Sequence, residues 1–561
     1  AYEMQLQAER RRLHRLATTA IEQHFEDLRP HYAALALHAD TAGLEEKARD
    51  YWGKAGDVAH EAYQNSQATT YYSRALALTT EPVAQYSLLL RREALFELQG
   101  LREKQGDDIA ALAALAQAMD DPGRQATVAL RRARHCKITG DKEQALLAAG
   151  TAVDLARQST SVALEAEARL TLAEVLRREG DLAVVEEHIK EALRLAQSGK
   201  APQVEADVLR QLAHNRYYEG DYQGVASYCR KALPIYRRIG DRRGEAKILS
   251  NLGLASAHRK EYNRARAYYE QAIAIDRELG NPRGESSTTV NLGKIAFERG
   301  DYEQAEAYMQ QARRLFRETG TRAGEATALL NLGELSRTLG NLDRARAYYE
   351  QAKSIGRLIG TRGTECTVLN FSGVCFTLEA EYARARECQE KALAYCRENG
   401  YQAFAGKVLT DLGNALLGLG LSGEAAAAFN EAAELRQQFN QPHLFLESQA
   451  GLARVALAKG DIALALRLVE PVLDYLQNHS LDGTEDPFLI YLTCYRALQA
   501  NDDSRAQDIL ALAYSLLTGR AAKIEDAATR RSFLEDLPAN RELVAAFTRS
   551  GQSFPVSGEC A

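Results

Sequence analysis

The fold of this chain is decided by residues 241–280, which read DRRGEAKILSNLGLASAHRKEYNRARAYYEQAIAIDRELG. The apolar and small residues that follow a helical period are Ile248, Leu249, Leu252, Ala265, Tyr269 and Ala272. Asp241 is a suitable N-cap for a first helix, and Gly280 is a suitable C′ residue for a second one. The stretch therefore predicts two helices that are joined by a turn near Lys260.

The same pattern recurs every 40 residues over about two-thirds of the 561-residue chain. One recurring position is a Leu-Gly or Leu-Ala pair, whose leucines are Leu172, Leu212, Leu252, Leu292, Leu332, Leu412 and Leu452. A glycine within a helix costs about 1 kcal/mol relative to alanine, so its recurrence after the leucine indicates that another helix approaches closely. A repeat of this length predicts a solenoid, in which each unit buries its apolar face against its neighbours.

The composition favours a helical array and argues against several classes of protein. The formal net charge is −6, and both signs are interspersed, whereas a nucleic-acid binder usually shows a basic excess. No apolar run approaches the ~20 residues that a membrane span requires, and no signal-peptide pattern is visible. The eight cysteines form no CxxC pair, so we expect reduced thiols and a cytoplasmic protein.

Catalytic and metal-binding signatures are missing from the sequence. The segment from Gly400 to Lys407 is the nearest approach to a phosphate loop, but it has one residue too many and continues with Val408. Four histidines near the N-terminus do not share one helical face; they are His14, His24, His31 and His38. The sequence therefore predicts a protein that is not an enzyme and that needs no cofactor or metal.

The order of residues in the repeat resembles the tetratricopeptide repeat (TPR) in its 40-residue form. Leu252-Gly253 is followed by Tyr262, Ala265, Tyr269 and Ala272, which correspond to the consensus of that family. The resemblance implies an all-α fold, a right-handed superhelical solenoid of antiparallel helix pairs. The expected divisions are a linking helix at 1–30, divergent repeats at 31–120, a regular array at 121–480, a C-terminal repeat with capping helices at 481–549, and a flexible tail at 550–561.

A second resemblance covers the two ends of the chain. Residues 11–25, 35–59 and 529–543 are similar to parts of the C-terminal TPR region of bacterial signalling proteins of the AAA/STAND ATPase type. The chain opens without methionine and already in a helical pattern, as expected of a piece of a larger protein. This resemblance implies that an ATPase or effector domain precedes Ala1.

The TPR resemblance also places candidate ligand-binding residues in the concave groove, which the first helix of each unit lines. These candidates are Asn251, Asn291, Lys294, Asn331, Glu334, Arg337, Asn370, Asp411 and Asn414. Three asparagines spaced by 40 residues, at 251, 291 and 331, form a ladder that can donate to and accept from an extended peptide backbone. A structural role, in which the amides bond a neighbouring helix, remains open. Lys294 and Arg337 are candidates for clamping an acidic group, although Glu334 lies between them.

These expectations lead to one leading hypothesis and three alternatives. The leading hypothesis is a non-enzymatic scaffold, the sensor or regulatory arm of a larger bacterial signalling protein, which binds a protein or peptide in its groove. The alternatives are an autonomous adaptor similar to GoLoco-binding TPR scaffolds, the regulatory array of an adjoining cyclase or caspase-like protease, and a receptor for small signalling peptides. Nucleic acid and membrane are not expected partners.

Overall fold

A computed structural model shows an all-α solenoid of antiparallel helix pairs, which is the predicted fold class. The structure describes residues 7–62, 64–176, 182–199, 201–218, 220–439, 441–481 and 483–550. All regular secondary structure in these ranges is helical. The predicted flexible tail at 550–561 lies, apart from Ser550, outside the described residues.

The N-terminal helices precede the regular array. They are α1 (Gln7–His24), α2 (Tyr32–Thr41), α3 (Glu45–Glu61), α4 (Asn65–Ala77), α5 (Pro82–Gln99) and α6 (Arg102–Ala118), with one 3-10 turn at Arg29–His31. Helices α2 to α6 each pack against the next helix along the chain. This part of the molecule therefore continues the antiparallel stacking of the array, although its repeats are shorter and less regular.

Paired helices form the regular array. The first helices of the pairs are α7 (Pro122–Thr139), α9 (Val162–Leu176), α11 (Pro202–Tyr218), α13 (Arg242–His258), α15 (Pro282–Glu298), α17 (Arg322–Thr338), α19 (Arg362–Leu378), α21 (Gln402–Gly418) and α23 (Pro442–Ala458). The second helices are α8 (Lys142–Gln158), α10 (Leu182–Ser198), α12 (Tyr222–Ile239), α14 (Tyr262–Glu278), α16 (Tyr302–Glu318), α18 (Leu342–Leu358), α20 (Tyr382–Asn399), α22 (Ser422–Gln438) and α24 (Ile462–Leu476). Four helices follow, namely α25 (Pro487–Ala500), α26 (Arg505–Ala522), α27 (Ala527–Glu535) and α28 (Pro538–Arg549).

The predicted helix ends are confirmed in the unit that decides the fold. The Asp241 carboxylate accepts a hydrogen bond from the backbone N–H of Gly244 at 2.8 Å, as an N-cap does. Gly280 adopts a φ of 59°, the left-handed conformation that terminates a helix. Local sequence signals therefore set where these helices begin and end.

The repeated Leu-Gly glycine lies at the crossing of the two helices of a unit. A Cβ atom on Gly253 would lie 2.5 Å from the ring of Tyr269, and one on Gly413 would lie 2.7 Å from the ring of Phe429. Both rings are fully buried. The close approach that the sequence predicts at this position is confirmed, and its partner is the aromatic residue of the second helix.

The first helices form the inner layer of the superhelix. Adjacent first helices contact each other, as α13 contacts α11 and α15, whereas successive second helices of the described array make at most slight contact. In a curved stack of helix pairs, the helices that contact their equivalents in adjacent units lie on the concave side. Side chains that point away from the second helices therefore face the interior of the superhelix.

The superhelix closes on itself, so that one turn contacts the next. The amide nitrogen of Asn65 donates to the carbonyl of Thr319 at 2.8 Å, across 254 residues of sequence. The ammonium of Lys142 donates to the carbonyl of Glu398 at 2.5 Å, across 256 residues. These bonds join the N-terminal repeats to the middle of the array.

Helices α25 to α28 follow the last pair of the array, and α25 packs on α23 and α24. They also dock on the preceding superhelical turn, which the sequence does not reveal. The ammonium of Lys523 lies 2.9 Å from the carboxylate of Asp301, and the rings of Tyr302 and Phe533 are 6.0 Å apart. One apolar core joins these helices to α15, α16 and α17. The four helices therefore link both turns as well as packing on the last unit.

Not every helix end carries the glycine that its conformation favours. Ala380 follows α19 with a φ of 60°, where glycine stands after most other helices. Because a side chain strains this conformation, replacing Ala380 with Gly should raise the free energy of unfolding by about 1 kcal/mol. Urea denaturation measures this change. The control is Ala347→Gly, an exposed site within α18, which should lower the free energy by about 1 kcal/mol. Equal effects at both sites would contradict the explanation.

Candidate functional site

A cavity of about 650 Å³ lies on the inner face of the array, and we call it the charged cavity. Helices α17, α19, α21 and α23 form its walls, while α25 and the first residues of α28 close one end. Its charged lining residues are Arg337, Lys407, Asp411, Glu447, Arg454, Glu485, Asp486 and Arg496. Leu417, Leu457 and Leu489 provide apolar wall between these charges. The combination of apolar walls with a few fixed polar groups is typical of ligand-binding sites.

Three of the predicted residues, Arg337, Asp411 and Asn414, line this cavity. Arg337 is already engaged, because its Nε donates to the Glu334 carboxylate at 3.2 Å. Burial alone would lower the pKa of Arg337, but the Glu334 carboxylate outweighs burial and raises it. Arg337 is thus paired with Glu334 in this structure, and the clamping of an acidic group by Lys294 and Arg337 stays a prediction.

Asp411 is held in place by protein groups on two sides. The Asn370 amide donates to the Asp411 carboxylate at 2.8 Å, and the Lys407 ammonium lies 4.0 Å from it and also pairs with Glu485. Burial raises the pKa of Asp411. Asn370 itself is fully buried, with 0% of its surface exposed. Asn370 therefore positions Asp411, which lines the cavity, and its predicted contact with a ligand stays a prediction.

Glu447 is the least satisfied acidic group of the cavity. It is 6% exposed, and its Oε1 accepts from the backbone N–H of Glu485, whereas its Oε2 has no hydrogen-bond partner. Burial first, and then the negative charge of Glu485, raise the pKa of Glu447 to about 8. At neutral pH this side chain is therefore largely a neutral carboxylic acid that faces the cavity.

Arg454 presents an unused donor to the same cavity. Its terminal nitrogen donates to Oδ1 of Asn414 at 2.8 Å, but its Nε is buried without a hydrogen-bond partner. Burial lowers the pKa of Arg454 to about 10. A guanidinium whose close partner is a neutral amide remains open to an anionic or carbonyl group of a ligand.

The asparagine ladder runs along the inner face towards the N-terminal part of the array. Asn251, Asn291 and Asn331 are all half-buried on first helices. The Asn331 amide donates to the carbonyl of Thr327 in its own helix at 2.9 Å. None of the three bonds a neighbouring helix within the described residues. Lys294 lies exposed on the same face, between the charged cavity and Asn251.

Replacing all three ladder asparagines with alanine should change the free energy of unfolding by less than about 1 kcal/mol per site. The reason is that these amides form no hydrogen bond to a neighbouring helix within the described residues. Chemical denaturation followed by circular dichroism measures this. The matched control is Asn370→Ala, which strips the buried Asp411 of a partner and should cost about 1–3 kcal/mol. A triple variant that loses several kcal/mol would identify the ladder as structural.

Sequence reasoning missed several cavity residues that the repeat itself could have identified. Arg454 lies 40 residues after Asn414, at the same position of the next unit. Listing the residue at this position in every unit would have identified Arg454. Lys407 and Glu447 share another position, five residues before the repeat leucine, which also includes Lys247. The residues at this position also line the interior of the superhelix. The family resemblance did not identify this position as part of the groove.

Metal and membrane features are not found in the described part of the chain. No group of three or more potential ligands is placed to hold a metal ion there. No helix among the described residues combines the length and the apolar character of a membrane span. The cysteines within the described ranges are free thiols, most of them buried, while Cys560 lies outside these ranges.

A known family of repeats matches two segments in the middle of the chain. Residues 204–278 and 285–357 match the profile of the tetratricopeptide repeat. They include the helices that carry the asparagine ladder, and they end before the helices α19, α21 and α23 of the charged cavity. No curated protein sequence matches the chain.

Solved structures with a similar fold come from several organisms. BtubC from P. vanneervenii is 24% identical with a TM-score of 0.35, and the match covers 39% of this chain and 92% of that one. A Rap protein complexed with Competence and Sporulation Factor is 14% identical with a TM-score of 0.47, over 64% of this chain and 99% of that one. The apo form of the quorum sensor NprR from B. thuringiensis is 16% identical with a TM-score of 0.43, over 62% and 97%. At these identities and TM-scores the matches identify no ligand.

Proposed function

We propose that this protein is a non-catalytic scaffold that binds a peptide or an extended protein segment inside its superhelix. The observation that carries this proposal is the pair of unsatisfied groups in the charged cavity, Nε of Arg454 and Oε2 of Glu447. Leaving buried polar atoms without partners costs stability. Both atoms are shielded from solvent, so a ligand that supplies one acceptor and one hydrogen-bonding group would satisfy them once the two side chains turn towards the cavity.

The asparagine ladder supports an extended ligand rather than a compact one. Asn331 lies on α17, the helix that also contributes Arg337 to the charged cavity, and Asn291 and Asn251 continue along the inner face. A peptide backbone presents alternating donors and acceptors, which amide side chains can pair without regard to sequence. In this arrangement the ladder holds the backbone, and the cavity selects a side chain or terminus of the ligand.

Binding of selected peptides tests the proposal. A phage-displayed library of random peptides is screened against the protein, and the dissociation constants of the selected peptides are then measured by fluorescence polarisation. Arg454→Gln should weaken the selected peptides about tenfold or more, because a hydrogen bond to a charged group is lost. The control is Arg467→Gln on α24 of the same unit, an exposed site on the outer layer.

The outcome distinguishes the inner face from other surfaces. Peptides that lose affinity with Arg454→Gln and with the triple asparagine variant, but not with Arg467→Gln, would support binding along the interior. Peptides that bind all variants equally would refute the charged cavity as the site. A library that yields no peptide would argue against a peptide-binding function.

We further propose that the array is the regulatory arm of a larger signalling protein. The support is the resemblance of residues 11–25, 35–59 and 529–543 to the corresponding parts of AAA/STAND proteins. The complete reading frame tests this directly. A P-loop ATPase encoded upstream of Ala1 would agree with the proposal, whereas a frame without an effector domain would favour an autonomous adaptor.

A further inference from the structure

A second enclosed space lies nearer the N-terminal end of the interior, and we call it the basic cavity. Its volume is about 500 Å³, and it has no lining residue in common with the charged cavity. Helices α11, α13 and α15 form one side of it. His60, Asn65 and Leu98 close the other side from the preceding superhelical turn. The cavity thus exists only because the two turns are in contact.

Positive charge dominates the walls of the basic cavity. Its permanently charged basic residues are Arg210, Arg243, Lys247 and Arg283. Arg210 lies 3.5 Å from the carboxylate of Asp207, whereas Lys247 and Arg283 form no ion pair within the described residues. Burial, followed by the charge of Arg210, lowers the pKa of Lys247. Burial also lowers the pKa of Arg283.

The one acidic lining residue does not balance these cations. Asp276 is 3% exposed and accepts a hydrogen bond from the Asn281 amide at 2.7 Å. Burial raises the pKa of Asp276 to about 6. At neutral pH the lining therefore carries four cationic side chains and a single carboxylate, while Asp207, Asp241 and Glu97 act on these cations from outside the lining. Lys247 and Arg283 form no ion pair within the described residues, so an anion placed between them would stabilise this wall.

Neutral hydrogen-bonding groups surround the cations. Ser250, Ser287, Thr288 and Asn251 line the same wall. Opposite them, Asn65 is 6% exposed; its amide nitrogen donates to Thr319 at 2.8 Å, and its Oδ1 has no partner. A ligand that fills the space would therefore place anionic oxygens against the basic wall and a donor group against Asn65.

We propose that the basic cavity binds a compact ligand of nucleotide size that carries several phosphoryl oxygens. Multiple negative charges within a small volume match the closely spaced cations, and guanidinium groups pair phosphoryl oxygens with two parallel hydrogen bonds. Because both superhelical turns bound the cavity, a compact ligand fits it better than an extended acidic peptide. Binding there would also strengthen the contact between the turns.

Isothermal titration calorimetry with inorganic tripolyphosphate, at constant ionic strength, tests this proposal on the full chain. Wild-type protein should bind the probe, and Lys247→Gln and Arg283→Gln should each weaken binding about tenfold. The control Lys231→Gln removes one charge from the exposed side of α12 and should leave the affinity unchanged. Without the probe, Lys247→Gln should melt at the same temperature as the wild type or higher, because it relieves repulsion.

A second probe, hexaglutamate, separates phosphoryl ligands from acidic peptides. Tighter binding of tripolyphosphate than of hexaglutamate, lost in both glutamine variants, would support the proposal. The proposal would be overturned if the wild-type protein showed no binding of tripolyphosphate, or if it bound hexaglutamate more tightly than tripolyphosphate. Equal losses in Lys231→Gln would also overturn it, because they would indicate diffuse screening of charge. A failure here leaves the peptide proposal intact, since Arg454→Gln tests that proposal in the other cavity, whereas the triple asparagine variant also alters Asn251 of the basic cavity.

Discussion

Replacing Gly333 with Ala is expected to lower the free energy of unfolding by about 2 kcal/mol. The added Cβ would lie 2.3 Å from the ring of Tyr349, a distance that no relaxed structure accommodates. The ring is fully buried, and its hydroxyl donates to the Glu334 carboxylate at 3.3 Å, so it has little room to move. Overpacking of a core costs about 1–3 kcal/mol, which exceeds the ~1 kcal/mol that alanine gains over glycine in a helix.

The same substitution at Gly150 provides a control with the opposite sign. Gly150 lies within α8, and a Cβ there would meet no atom within 4 Å. Gly150→Ala should therefore raise the free energy of unfolding by about 1 kcal/mol through helix propensity alone. Guanidinium denaturation of both variants measures the difference. A Gly333→Ala variant as stable as Gly150→Ala would show that the helix crossing is looser than the structure describes.

The local architecture could be predicted because two independent signals in the repeat specify it. One is the helical spacing of the apolar residues, and the other is the set of residues that begin and end each helix. Asp241 and Gly280 mark the ends of one unit, and Gly253 marks the crossing with Tyr269. Each of these signals acts over fewer than 20 residues of chain and depends on little else. Fold class and unit boundaries therefore followed from sequence alone.

The closure of the superhelix could not be predicted in the same way. Small rotations between units add along the array, so the position of a distant unit depends on every packing angle before it. Two contacts between turns do not recur with the 40-residue repeat, so the sequence pattern does not indicate them. They are the contacts of Asn65 with Thr319 and of Lys523 with Asp301. The basic cavity is lined by Asn65 and Thr319, so the sequence predicted a concave groove but not this cavity between turns.

The candidate site was predicted in part for a similar reason. Arg337, Asp411 and Asn414 occupy regular repeat positions on the inner face, and the structure places them in the charged cavity. Glu485 and Asp486 belong to the irregular connection before α25, which has no counterpart in other units. The residues that make this cavity unlike the rest of the groove therefore come from the part of the chain where the repeat ends.

Wild-type protein and Glu447→Gln should differ in stability at high pH and converge at low pH. The pKa of Glu447 is raised to about 8 in the folded state, whereas the group titrates near its ordinary value when unfolded. As the pH rises between these two values, only the unfolded state loses its proton, so ionisation progressively favours unfolding. The stabilising effect of the protonated carboxyl is thus complete at acidic pH and is lost by the time the pH passes about 8.

Glutamine cannot ionise, but it keeps an oxygen for the backbone N–H of Glu485. We therefore expect Glu447→Gln to match the wild type at pH 4 and to exceed its free energy of unfolding by on the order of 5 kcal/mol at pH 9. Urea denaturation at a series of pH values measures both curves, with Glu350→Gln as a control at an exposed site that should keep the wild-type profile. Parallel curves for wild type and Glu447→Gln would mean that the folded protein stabilises the Glu447 carboxylate, most directly through Lys407 or Arg436, whose charges lower its pKa. In that case the cavity already satisfies its acidic group, and Arg454 alone would remain to attract a ligand.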